Sequence, residues 1–218
     1  MKTVRGNAVL VAVTLLCFAF GVWAYPKMAD RVPTHWNFRG EVDGYSSKTF
    51  AVFFFPALTM AMYALFLYLP AIDPKRASYK QFEGVYRLII AAVILFMNGV
   101  YLITVMAGLG YAVKVDVLVR LTVSLLIIVI GDQLGRVKPN WFVGIRTPWT
   151  MSDEDNWRRT HRFGSKTMVL GGVLSLATIP FKSQVAAVLG FAFILVGALV
   201  PVLYSYLLFK RSGHGNGA

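Results

Sequence analysis

Residues 139–164 read PNWFVGIRTPWTMSDEDNWRRTHRFG, a polar island between two long apolar runs. It holds three of the five tryptophans, four arginines and one of the three histidines. The rest of the chain decides what medium surrounds the island. Of 218 residues, 57% are hydrophobic and only 15% charged, and mean hydropathy is +0.61. A water-soluble domain of this size has no use for that much apolar surface. An integral membrane protein does, because both its core and its lipid-facing side must be apolar.

Working outward from the island, six apolar runs appear: 7–24, 49–69, 88–107, 117–135, 167–181 and 184–209. Most approach the roughly 20 residues that span a hydrocarbon core. The first exceeds the roughly 7–15 residues of a signal-peptide core, so it reads as an uncleaved helix. The fifth is short and must begin near Arg162, or lie tilted or partly outside the membrane. Pro56 in the second run is tolerable, because neighbouring helices can satisfy the freed carbonyl. The formal net charge is +12, yet the basic residues gather at run ends, where anionic headgroups lie. The expected partner is therefore the lipid bilayer, with no direct nucleic acid binding. With the N-terminus inside, 15 lysines and arginines fall on the cytoplasmic side and 7 outside. The positive-inside rule favours that orientation.

The expected fold is an all-α integral membrane protein, a bundle of six transmembrane helices with both termini cytoplasmic. Residues 25–48 form an ordered outer loop, and 136–166 an ordered cytoplasmic loop with a short helix. Two domains are expected: 1–70, a membrane hairpin carrying the outer loop, and 71–218, a membrane domain carrying the island. The localisation is a bacterial cytoplasmic membrane, multi-pass.

Within the island, Pro148 forces Ile145, Arg146 and Thr147 toward extended backbone. Ser152 followed by Asp153, Glu154 and Asp155 reads as a helix start with acids at the positive end of the dipole. Trp157, His161 and Gly164 then share one helical face, flanked by Arg158, Arg159 and Arg162. An interfacial helix, with tryptophans at headgroup depth and arginines on lipid phosphates, accounts for that composition. It leaves the packing of Gly144, Thr147, Pro148 and Trp149 into one short extended segment unexplained.

The run from Asn140 to Gly164 resembles the signature of the SdpI immunity-protein family. Pro33-Thr34-His35-Trp36-Asn37, followed by Gly40-Glu41-Val42-Asp43-Gly44-Tyr45 and Lys48, resembles a small membrane domain of unknown function often fused N-terminal to it. The resemblance implies a polytopic protein that protects its cell from a secreted, membrane-active peptide toxin. It also implies possible tethering of a cytoplasmic transcriptional repressor at the membrane. The expected inner platform comprises Asn140, Trp141, Gly144, Arg146, Thr147, Pro148, Trp149, Trp157, Arg158 and His161. Arg146 is expected to meet a backbone carbonyl, a carboxylate such as Asp132, or a lipid phosphate, while Trp149 and Trp157 pack the platform on the bundle.

The outer loop offers His35, Trp36, Asn37, Gly40, Asp43, Gly44 and Lys48. Gly40, Asp43 and Gly44 suit turns and Trp36 an interfacial anchor; the alternative is a recognition surface for an extracytoplasmic peptide. His35 with Asp30, Glu41 and Asp43 is too sparse a ligand set to imply a metal. Inside the bundle, Asp132 has Arg136 one turn on as a partner, and Asn98 beside Gly99 suits a packing contact.

No catalytic residues and no cofactor are expected. His35 and His161 fall on opposite sides of the membrane, and no zinc-protease pair, nucleophile elbow or phosphate loop is present. Two other readings stand beside immunity. A small-molecule or lipid transporter would need a mid-membrane polar cavity. A membrane enzyme would use a cytoplasmic-face site around Arg146, Asp155 and His161.

Overall fold

The computed structural model describes residues 7–37, 41–181 and 183–212. The chain is mostly helical. Helix α1 (Ala8–Ala24) is capped by the Asn7 side chain on the Val9 N–H and runs into a single tight turn at Tyr25–Lys27. Strands β1 (Arg31–Trp36) and β2 (Val42–Ser47) follow, then α2 (Lys48–Ile72), a 3₁₀ segment (Arg76–Gln81) and α3 (Glu83–Gly108). Helix α4 (Val115–Leu134), the short α5 (Pro148–Ser152), α6 (Glu154–Ala177) and α7 (Gln184–Arg211) complete the described chain.

Among the described residues four helices are long and apolar enough to cross a membrane: α1 with its following turn, α2, α3 and α7, at mean hydropathy 2.1 to 2.6. Helix α4 carries Asp116, Arg120 and Asp132, and α6 opens with a polar third, which lowers both. Large apolar side chains point outward along the helices, including Leu16 at 70% exposure and Leu203 at 65%. So broad an outward-facing apolar surface belongs against lipid rather than water.

Three differences from expectation have plain physical causes. Residues 25–48 are not a string of turns: β1 and β2 pair antiparallel, from Arg31 opposite Ser47 to Trp36 opposite Val42, with irregularities around His35. Gly44 accordingly stands in β2 rather than in a turn. A Cβ there would fall 2.8 Å from the Cβ of His35, so the close strand approach requires glycine. The expected interfacial helix and the short fifth run are one continuous helix, α6, which resolves the missing length. That helix starts one residue later than expected. Asp153 is its cap, accepting the Asp155 N–H, while Ser152 ends α5.

Helices α1, α2 and α3 pack together, α4, α6 and α7 form a second group, and α3 and α4 join the two. The second group is held by small residues. A Cβ on Gly171 would lie 2.5 Å from the Phe193 carbonyl oxygen, and one on Gly197 2.6 Å from that of Thr167. Such backbone proximity is the usual route to tight helix pairing in lipid, where burial alone supplies little drive. Two buried clusters mark the ends of the first group. One gathers Leu10, Tyr63, Tyr79, Tyr86 and Trp157; the other gathers Ala24, Met28, Val32, Ala51, Tyr101 and Val105 under the hairpin. Helix α3, about 39 Å long at 1.5 Å per residue, separates them.

Candidate functional site

The expected platform is built from a loop that folds onto three helices. Asn140, fully buried, shapes the first part. Its Oδ1 accepts the N–H groups of Phe142 (2.9 Å) and Val143 (2.7 Å), and its Nδ2 donates to the carbonyls of Lys138 and Val143 (both 2.9 Å). An asparagine that uses both ends of its amide on its own backbone closes a turn in place of main-chain bonds. Asp73, only 2% exposed, then pins that turn to the end of α2. It accepts the Trp141 N–H at 2.9 Å, the Tyr79 hydroxyl at 2.9 Å and the Lys75 N–H at 2.7 Å. Burial, and next the Asp73 carboxylate, push the Tyr79 phenol well above its usual range, so it remains a donor.

Gly144 adopts φ +120°, a region side chains avoid, and a Cβ there would sit 2.4 Å from His161 Nε2. That approach lets the next N–H, of Ile145, donate to His161 Nε2 at 3.0 Å. The other ring nitrogen, Nδ1, donates to the Trp157 carbonyl at 2.8 Å. The imidazole is therefore neutral, with its proton on Nδ1. Desolvation pushes its pKa down to about 4, against a weaker opposing pull from the Trp157 carbonyl. Trp157 stacks on the ring, centroids 4.0 Å apart, and its indole N–H donates to the Val137 carbonyl at 2.9 Å.

Thr147, in extended backbone, caps α5 in a reciprocal box with Thr150, and Pro148 occupies the first turn, where its missing N–H costs nothing. Thr147 and Ser205 of α7 pair through their hydroxyls at 3.1 Å. Asn156 donates to the Ser205 carbonyl at 2.9 Å. Trp149 lies on Tyr206 and Phe209, centroids 5.0 and 6.3 Å away. Arg146 donates to the Trp141 carbonyl, the first of its three expected partners, at a solvent-facing position. Trp141, 52% exposed, and Arg158 face outward. Arg158 and Arg159 both reach Asp155, but these are exposed pairs that add little to stability.

Asp132 and Arg136 do not pair as expected. Asp132 accepts from the Gln133 amide, and Arg136 reaches the same amide's oxygen at 3.5 Å, so Gln133, itself buried, stands between them. Asn98 is buried and donates to Thr14 of α1 at 3.0 Å and to the Ile94 carbonyl at 2.9 Å, a helix-to-helix contact. Among the described residues no buried side-chain nitrogen or oxygen lacks a partner.

At the other end, His35 and Asp43 meet at 2.5 Å, and Lys48 reaches Asp30 at 2.9 Å. Asn37 closes the hairpin: its amide donates to the Glu41 carboxylate at 2.9 Å and its oxygen accepts the Glu41 N–H at 3.2 Å. Trp36 is half-buried beside them. Gly40 lies outside the described residues. No group of three or more His, Cys, Asp or Glu side chains among the described residues could hold a metal.

Asp73, Tyr79 and Ser205 were absent from the expected site. Nothing in sequence spacing links Asp73 to Trp141, 68 positions away, or Tyr79 to Asn140, 61 positions away.

Residues 136–205 match the SdpI/YfhL protein family, and residues 12–60 match a domain of unknown function (DUF1648). The chain is 24% identical to "Immunity protein SdpI" of Bacillus subtilis (strain 168) over 207 residues, covering 95% of this chain and 97% of the relative. No solved structure matches.

Proposed function

We propose that this chain, a member of the SdpI/YfhL protein family through residues 136–205, is an immunity protein that protects its cell from a membrane-active peptide. The observation that carries the reading is the end-to-end match to an immunity protein, over nearly the whole of both chains. A match confined to one domain would speak only for that domain.

In this proposal α1, α2, α3, α4, α6 and α7 all cross a bacterial cytoplasmic membrane, with both termini inside. Residues 1–70 form a first membrane unit and 71–218 a second. The hairpin faces the medium from which the peptide arrives. The platform faces the cytoplasm, where exposed Trp141 and Arg158 offer a surface to a repressor. The transporter and enzyme readings have less support. The polar groups inside the bundle satisfy one another, as Asn98 and Thr14 do. His161, the one buried histidine among the described residues, spends both ring nitrogens on backbone.

The test is survival. Cells killed by the peptide to which the Bacillus subtilis relative confers immunity are given this one chain. Survival is the expected result. Unchanged killing, with the protein verified in the membrane, would overturn the reading. Arg146→Ala is expected to lose protection at equal abundance, because it releases the Trp141 carbonyl; full protection by that variant would remove the platform from the proposal.

A further inference from the structure

A cavity of about 590 Å³ opens between the hairpin and the ends of α3, α4, α6 and α7 that lie nearest it. Its helix wall is apolar: Val119 and Val123 of α4 face Phe191 and Ile194 of α7. Its other wall is the run Thr34, His35, Trp36 and Asn37, joined by Asp43 of β2. Strand side chains alternate between faces. Consecutive residues of one strand can all border a cavity when the strand presents its backbone, or where its pleat is broken, as it is around His35. Strand β1 belongs to a two-stranded sheet, so β2 occupies one edge, and among the described residues no strand covers the other. Pro33 within β1 fits such an edge position.

The size of the cavity selects the conformation of an occupant. A helix 10–12 Å across would fill it with about one turn, whereas an extended segment a few residues long fits the volume typical of small-ligand sites. At the rim Arg120 is 13% exposed and spends three of its N–H groups on the Asp116 carboxylate, the Asp116 carbonyl and the Thr178 carbonyl. A guanidinium has five. Two donors are left for an incoming carbonyl.

We propose that this cavity receives an extended apolar peptide segment that adds as a third strand to the open edge of β1 and buries alternate side chains between α4 and α7. Strand addition draws affinity from main-chain hydrogen bonds and selectivity from side-chain pockets. The proposal deepens the immunity reading by naming where a peptide would be held. Its test uses no toxin, so either can fail alone.

The full chain is placed in nanodiscs of phosphatidylethanolamine and phosphatidylglycerol and titrated with dansyl-labelled Val-Ile-Val-Phe-Val amide, with empty nanodiscs as the partition control. Saturable binding above that control is expected, weakened at least tenfold by Val123→Trp and separately by Ala187→Trp, which fill the cavity from different helices. The same peptide N-methylated at alternate amides is expected to bind at least tenfold less tightly to the unaltered protein. Circular dichroism establishes that each variant remains folded; should one filled variant unfold, the other and the N-methylated probe still decide. Absent binding, or equal binding of the N-methylated probe, would overturn strand addition. Saturable binding of dansyl-undecanoic acid in place of the peptide, abolished by the filled variants, would make the cavity an acyl-chain site and overturn the proposal.

Discussion

Asp73 accepts the backbone N–H of Trp141 from 68 positions away, and the same carboxylate oxygen takes the Tyr79 hydroxyl. The carboxylate thus ties the end of α2 to the start of the platform loop at a nearly dry site. Asp73→Ala removes the acceptor, strands the Trp141 N–H and leaves the Tyr79 hydroxyl only its 3.4 Å contact with Asn140 Oδ1. Each orphaned buried donor costs about 1–3 kcal/mol, so a total loss near 3 kcal/mol is expected. Thermal unfolding in detergent should show it as a clear fall in midpoint. An unchanged midpoint would mean that water replaces the carboxylate freely.

His161 makes stability depend on pH in a definite direction. Its folded pKa is lowered from 6.5 to about 4, so the unfolded chain takes up a proton before the folded one does. The stabilisation is full above about pH 6.5 and is lost as pH falls toward 4. At a tenfold change per pH unit, the loss approaches roughly 3 kcal/mol. The melting midpoint should therefore decline across that window, and His161→Gln should flatten the decline. Equal slopes for both proteins would refute the assignment.

Gly144→Ala places a methyl group 2.4 Å from His161 Nε2 on a backbone at φ +120°. Strain of this kind costs about 1–3 kcal/mol before any clash is counted. Gly99→Ala is the matched control, since nothing lies within 4 Å of its added carbon and helix propensity improves. Limited proteolysis of the 136–153 loop should accelerate in the first variant and remain unchanged in the second. Similar digestion of both would detach the loop's order from Gly144.

Sidedness can be checked with the chain's sole cysteine, Cys17, replaced by alanine. On that background Tyr45→Cys, exposed on β2, should react with an impermeant maleimide added to intact cells. Arg158→Cys should react only after the membrane is opened. Labelling of the Arg158 position in intact cells would invert the proposed orientation.

Much of this arrangement was legible in the residues. Apolar runs located the long helices, Pro148 marked the extended approach to α5, and spacing put Trp157, His161 and Gly164 on one helical face, which the structure buries. Two kinds of information were missing. Periodicity could not see that α6 continues from water-facing to apolar surroundings without a break, because composition changes at Gly164 while the backbone does not. Nor could local spacing reveal partners supplied by distant segments. Asp132 and Arg136 looked paired at i+4, yet the intervening Gln133 amide takes both. The hairpin escaped because its irregular register around His35 blurs the alternation by which strands are recognised.

Helix α6 is one unbroken rod of 24 residues, about 36 Å from end to end at 1.5 Å per residue. Trp157 and His161 sit near its start, while Ser175, near its finish, borders the cavity beneath the hairpin. Both ends therefore belong to one stiff element, so any tilt of α6 within its tight glycine contacts with α7 and α4 registers at the platform and at the cavity together.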